Sequence, residues 1–189
     1  MFFQPDYPVE TARLRLRPFT RGDVDAVFAY RGREDVARFL SDEPITRAEC
    51  AEIVQQRVGQ IFFAREGDRI VLGAELEESG LLVGEVSLIW RHADWQQGEI
   101  GYIFHPQVHG RGLATEAAQA MLALGFVSFG LHRISARCDA RNTASARVME
   151  RLGMRREAHF RDLSRSKGRW DQEFVYAILA EEWRAGSGD

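Results

Sequence analysis

The sequence predicts an α/β domain built on a mixed sheet, and three observations carry that prediction. Apolar residues recur with a period of two in some segments and of about 3.6 in others. One passage, Glu99 to Leu152, reads strand, helix, strand, helix, which implies local parallel pairing. The segments on either side are joined by short polar turns, which give antiparallel neighbours. The 189 residues suit one domain. It is assigned to residues 1–184, with the small polar tail Ala185–Asp189 read as disordered.

Each element has its own signal. Thr11–Phe19 (TARLRLRPF) alternates Leu14 and Leu16 against Arg13, Arg15 and Arg17, as a half-buried strand does. Thr20 precedes an amphipathic run carrying Val24, Val27, Phe28 and Tyr30 at helical spacing. Pro44 breaks the chain, and Thr46-x-x-Glu49 makes a capping box for a second helix through Val58. Arg69–Glu75 and Leu82–Trp90 read as strands around a turn at Glu77–Gly80. A polar loop, His92–Gly98, leads to a third strand, Glu99–Phe104. After Pro106 the period becomes helical through Leu113, Ala117, Ala120, Met121 and Leu124. Arg133–Asp139 is a strand, and Asn142 opens a short helix to Leu152 that Gly153 ends in a left-handed turn. Strands at Arg155–Asp162 and Phe174–Leu179 flank a polar hairpin.

Composition removes several classes of function. A formal net charge of −3 and a pI near 6.0 argue against a general nucleic-acid binder. Cys50 and Cys138 have no CxxC spacing and read as free thiols, without the four ligands that a structural zinc needs. The opening segment MFFQPDYPVE lacks the pattern of a secretory signal. No apolar run reaches the roughly 20 residues of a membrane span. The expectation is a cytoplasmic protein with neither nucleic-acid nor membrane partners.

The chemistry concentrates in Glu99–Ala117, where a strand runs into a glycine-rich turn that opens a helix. Gly110 and Gly112 lack Cβ atoms, so their amides can approach a ligand closely. The helix behind them begins with unpaired N–H groups and a partial positive charge, and together these make a phosphate cradle. A dinucleotide fingerprint would need a third glycine near Thr115, and a P-loop would close on Gly-Lys-Ser/Thr. Neither is present. What remains is Gln-x-x-Gly-x-Gly over Gln107–Gly112, which on these residues alone is either a phosphate loop or an ordinary helix entry.

This stretch resembles the acetyl-CoA-binding motif of the GNAT acetyltransferases, Gln/Arg-x-x-Gly-x-Gly/Ala after a strand. Asn142-Thr-Ala-Ser145 through Leu152-Gly-Met154 is similar to that superfamily's Asn-x-x-Ser/Ala helix, which ends in Leu-Gly-aromatic. Thr11–Phe19 and Arg169–Trp183 resemble the first strand and the terminus of its ribosomal-protein-alanine (RimJ/RimL-like) branch. The resemblance covers nearly the whole chain in order. It implies the GNAT fold: a mostly antiparallel twisted sheet with a V-shaped splay between two parallel strands, here Glu99–Phe104 and Arg133–Asp139, and helices on both faces.

The resemblance also assigns roles. Acetyl-CoA, as co-substrate, would pair its pantetheine with backbone near Ile103, Phe104 and His105. Its pyrophosphate would rest on Gln107, His109, Gly110, Arg111, Gly112, Ala114 and Thr115. Asn142 would both cap its helix and face the cofactor arm. Arg147 would meet a phosphate, or is a plain solvated helix residue.

Amide formation from a thioester needs a neutral amine and a stabilised thiolate. Glu99, where this family often places a carboxylate, is the expected base or anchor of a water relay, with Asp162, Asp94 and His92 as alternatives. Many relatives carry a tyrosine where this chain has Met149, which leaves Ser145 as the nearest hydroxyl for the leaving thiolate. His105 and His109 flank Pro106 on a turn, with no third ligand nearby, so no metal is expected. Arg161, Arg165, Lys167 and Arg169 read as a solvated hairpin, or as contacts for an acidic substrate or the cofactor's 3′-phosphate.

The expected activity is acetyl transfer to a primary amine by direct attack in a ternary complex. The acceptor is a protein N-terminus, or a small amine such as an antibiotic, polyamine or amino-acid derivative. A non-catalytic acyl-CoA sensor is the reading from another class. The acceptor loops, around Glu34–Arg47 and Ser164–Asp171, carry no readable code, although Glu34, Asp35, Asp42 and Glu43 would suit a cation. A monomer or a homodimer is expected.

Overall fold

Leu14 and Leu16 are fully buried while Arg15 between them is exposed, so the alternation in the first predicted strand marks a true inner face. The computed structural model describes residues 2–40 and 43–186. In chain order, β1 (Val9–Glu10) and β2 (Leu14–Arg17) form a short hairpin. A 3-10 turn at Arg21–Asp23 then leads into α1 (Val24–Arg31), a single turn α2 (Glu34–Ala37) and α3 (Arg47–Val58). β3 (Arg69–Leu76), β4 (Leu82–His92) and β5 (Gln97–Phe104) follow as an antiparallel meander. The crossover helix α4 (Leu113–Ala123) widens into π-helical turns over Leu124–Phe129 and ends at Gly130, whose φ is 81°. β6 (Arg133–Asp139), α5 (Thr143–Arg151), β7 (Arg155–Phe160), a hairpin of β8 (Arg165–Ser166) and β9 (Arg169–Trp170), β10 (Glu173–Leu179) and α6 (Ala180–Gly186) complete the chain.

The described strands form an eight-stranded sheet in the order β1-β2-β3-β4-β5-β6-β10-β7, with β8-β9 apart from it. Every pairing in the large sheet is antiparallel except β5 with β6. That parallel pair is matched only from Gln97↔Arg133 to Ile100↔Ala136. Beyond it, Gly101–Phe104 and Arg137–Asp139 part, which is the expected splay. One apolar core lies between the sheet and α4–α5, around Leu88, Leu113, Met121, Leu122 and Ile134. A smaller one, around Phe19, Val27, Tyr30, Cys50 and Val54, seats α1 and α3 on the opposite face.

Several expectations about element bounds are corrected. The first strand is shorter than Thr11–Phe19 because Thr11 turns back on Leu14, its Oγ1 accepting from Leu14 N at 3.0 Å. The loop predicted at His92–Gly98 contracts to a turn at 93–96, with β4 and β5 running on to either side of it. β7 stops at Phe160 because the chain turns at Asp162, where φ is 52°. The capping box at Thr46 is formed: Thr46 N donates to Glu49 Oε2 at 2.7 Å and Thr46 Oγ1 accepts from Glu49 N at 3.3 Å. β1, α2, β8, β9 and α6 had no signal in the periodicity, being short segments that neighbours hold in place. Ala185 and Gly186 lie in α6; residues 187–189, the rest of the predicted tail, fall outside the described residues.

Candidate active site

The chain leaves β5 through a 3-10 turn at Pro106–Val108, tightened by Gln107 N donating to His105 Nδ1 at 3.1 Å. His109 then folds back, its Nε2 lying 3.0 Å from the Phe104 carbonyl oxygen. Gly110 and Gly112 both take left-handed backbone, with φ of 76° and 78°. A side chain at either position would be strained, and Gly112 forms the N-cap of α4. Arg13 holds this loop from behind: its NH1 donates to the Arg111 carbonyl at 2.8 Å. Its backbone N and its Nε each donate to Glu116 at 2.7 Å, and Thr11 Oγ1 reaches the same carboxylate at 2.7 Å. Nothing in the sequence joined β2 to α4; the contact spans about a hundred residues of chain and has no local pattern.

In front of the loop lies a cleft of about 420 Å³, roofed by the splay. Of the residues expected at the cofactor, Ile103, Phe104, His109, Gly110, Gly112, Ala114, Thr115, Asn142 and Arg147 line it, as does Ser145. His105, Gln107 and Glu99 do not, and Arg111 lines an adjoining open groove that shares Gly110, Gly112 and Thr115 with the cleft. Two features show that the cradle fits a phosphate-bearing ligand. The space where a Cβ of Gly110 would stand is open, and the buried Thr115 Oγ1 has no hydrogen-bond partner in the protein. The N-terminal amides of α4 open at the same place.

The backbone of β5 sets the other wall. His105 N donates to Val83 O at 2.8 Å, so the odd-numbered residues of β5 direct their main-chain groups to β4. Those of Tyr102 and Phe104 therefore point into the splay, and those of Ile103 do not. Side chains alternate as well. Glu99 and Ile103 share the face covered by α1 and α3, while Tyr102 lies on the α4–α5 face and lines the cleft.

Asn142 caps α5, its Oδ1 accepting from Ser145 N at 3.1 Å. One turn on, Met149 is 1 % exposed and buried in the core, so the helix offers no proton donor there. The phenol comes instead from the strand: Tyr102 Oη lies 3.0 Å from both Ser145 Oγ and the Ser145 carbonyl oxygen. Tyr102 belongs to no motif in the sequence, although period-two alternation sets it on the face opposite Glu99. Burial holds the Tyr102 phenol well above its ordinary range and pushes the nearby Cys138 thiol up to about 11. Both groups stay protonated at neutral pH.

Glu99 is largely buried at the last matched rungs of β5, paired with Ile89 and Ser135. Arg91 grips both of its oxygens, at 3.0 and 3.1 Å, and Arg137 stands 3.6 Å away. Of the alternative bases, His92 and Asp94 lie at the far end of β5 from the splay, where His92 stacks on Trp95 at 3.9 Å. Asp162 is on an exposed turn and does not line the cleft.

The two loops expected at the acceptor do meet. Lys167 Nζ donates to the carbonyls of Ala37 at 2.7 Å and Leu40 at 3.2 Å, and Arg169 NH2 to that of Arg38 at 3.1 Å. Part of the predicted solvated hairpin is thus spent on holding the turn after α2. α2 presents Asp35 and Val36 to the cleft, and the turn after it Phe39 and Leu40. Asp42, named with the acidic residues of this loop, falls outside the described residues. Among the described residues, no group of three or more His, Cys, Asp or Glu is gathered that could hold a metal, and no helix is long and apolar enough to cross a membrane.

Comparison with known proteins agrees with this geometry. The profile of the acetyltransferase (GNAT) domain matches residues 13–155. The chain is 33% identical to the uncharacterised N-acetyltransferase YnaD of Bacillus subtilis over 175 residues, 93% of this chain and 98% of that one. The crystal structure of a GNAT-family acetyltransferase from Bacillus anthracis superposes with a TM-score of 0.82 at 33% identity, covering 96% of this chain and 99% of the other. The spermidine N(1)-acetyltransferase of Escherichia coli (strain K12) is 25% identical over 142 residues, 74% of this chain and 72% of that one.

Proposed function

The chain belongs to the GNAT acetyltransferase family, and from that premise we propose that it acetylates the α-amine of a peptide or protein N-terminus. It is an acetyl-CoA-dependent N-acetyltransferase. Bound acetyl-CoA supplies an acetyl group activated as a thioester, so amide formation needs no other energy source. The loop Gly110–Gly112, the orphan Thr115 hydroxyl and the first turn of α4 hold its pyrophosphate, while Tyr102 and Phe104 offer main-chain groups to its pantetheine.

The observation that carries the choice of acceptor is the wall opposite the phosphate loop. Val36, Phe39 and Leu40 make it apolar, and its one carboxylate among the described residues, Asp35, has each oxygen bonded to Arg33 at 2.8 Å. Among the described residues, a polyamine meets no carboxylate on that wall that lacks an arginine partner; a single amine beside an apolar group is accommodated. The proposed base points the same way. Both oxygens of Glu99 are engaged by Arg91, so its part is to anchor a water relay rather than to strip a strongly basic amine. An α-amine with pKa near 8 is about a tenth neutral at pH 7, against on the order of a thousandth for an alkylamine near 10. The α-amine needs the least help.

No cysteine lines the cleft among the described residues, and burial raises the Cys138 thiol, which favours direct attack by the amine in a ternary complex. Thiol release from acetyl-CoA, measured over a panel of peptides with free N-termini and over spermidine, tests the reading. Peptides with small or apolar first residues should turn over best. A higher kcat/KM for spermidine than for every peptide defeats the choice of acceptor.

A further inference from the structure

We propose that Tyr102 is a positioning residue that sets the Ser145 hydroxyl to stabilise the leaving thiolate, supplying from a strand what Met149 removes from the helix. The inference rests on the acetyltransferase reading of this cleft. Its basis is the geometry: one phenol proton faces two acceptors, Ser145 Oγ and the Ser145 carbonyl oxygen, each at 3.0 Å. Ser145 is itself fixed by the Asn142 cap at 3.1 Å, so its backbone cannot drift from the phenol. Both residues line the cleft where β5 and β6 part.

Two hydrogen-bond arrangements are open to the pair. With the phenol proton on the carbonyl, Ser145 Oγ–H points to Tyr102 Oη. With it on Oγ, the serine O–H is turned toward the cleft. When the thioester C–S bond breaks and the electron pair stays on sulfur, the second arrangement lets Ser145 donate to the sulfur while Tyr102 donates to Ser145. Such chained donors polarise one another. No proton leaves either hydroxyl, because burial strongly disfavours the tyrosinate. The sulfur is protonated finally from solvent, balanced by the proton that the amine gives up. Tyr102 therefore acts only through Ser145.

The test needs no acceptor. Free CoA is bound to the protein, and its thiol is titrated by thiolate absorbance in wild type, Tyr102→Phe, Ser145→Ala and the double variant. In wild type the bound thiol should titrate below free CoA. A charge-assisted hydrogen bond is worth about one unit of such a shift, so each single variant should raise the thiol pKa by about that much. Once Ser145 is alanine, Tyr102→Phe should add nothing. Affinity for CoA at pH 7 should change by less than about twofold, because the neutral thiol is the form bound there. A Tyr102→Phe protein with native circular dichroism and a wild-type thiol titration overturns the proposal. So do additive shifts in the double variant, or a wild-type titration no lower than that of free CoA. Failure of wild type to bind CoA at all would instead overturn the acetyltransferase reading beneath it.

Discussion

Gly110 is the position where a single atom should separate the roles of backbone and ligand. Its φ of 76° is left-handed, and the space a Cβ would enter is empty of protein atoms. Gly110→Ala therefore meets no clash, and its cost is conformational, about 1–2 kcal/mol. In a domain of this size that lowers Tm by roughly 2–8 °C. Gly110→Asp carries a similar strain and adds a negative charge facing the phosphate cradle. Two like charges roughly 5 Å apart repel by about 1–3 kcal/mol between the dielectric limits of water and a protein surface. Acetyl-CoA affinity should then fall roughly tenfold to a hundredfold, while Gly110→Ala loses far less. Calorimetric titration with acetyl-CoA, alongside thermal melts of both variants, reads the two effects separately. If folded Gly110→Asp binds acetyl-CoA within about twofold of wild type, the phosphate does not sit on this loop and the cradle argument is wrong.

Two further outcomes follow from the surrounding charges. Glu99→Gln should lower kcat/KM by about a hundredfold once an acceptor is in hand, with partial recovery at high pH as the amine deprotonates unaided; a flat, wild-type profile moves the proton relay elsewhere. Glu116 should make the phosphate loop acid-sensitive. Although burial opposes it, hydrogen bonds from Thr11 and Arg13 hold its carboxyl below the usual range. A depressed folded-state pKa adds stability above the unfolded value, near 4.5, and that stability is lost as pH falls through the folded value. Glu116→Gln should therefore melt lower than wild type at pH 7 and lose less on acidification below pH 4.5. Parallel Tm-against-pH curves for the two proteins would remove the linkage.

What the sequence displayed was whatever a few adjacent residues settle among themselves. The Thr46–Glu49 box, the Asn142 cap and the left-handed turn at Gly153 all stand where the sequence predicts them. Each is a contact or a backbone preference confined to one turn of chain. Strand and helix periods were legible for the same reason, since a buried face repeats along its own element. Those local rules sufficed for the parallel crossover from β5 through α4 to β6, because a strand–helix–strand passage has few ways to close.

Tertiary structure decided how those pieces face one another. Glu99 was readable as a strand carboxylate, but its engagement by Arg91 and Arg137 depends on β4 and β6 flanking β5 in a particular register. Tyr102 and Ser145 lie 43 residues apart, Arg13 and Glu116 103, and Lys167 and Ala37 130. No periodicity links residues so separated; their meeting is fixed by where the sheet parts and by which face each helix covers. The proposed phosphate loop is therefore legible in the sequence as a glycine spacing ahead of a helix. The groups that brace it, and those proposed to face the sulfur and the acceptor, come together only because packing the two cores brings distant side chains within reach.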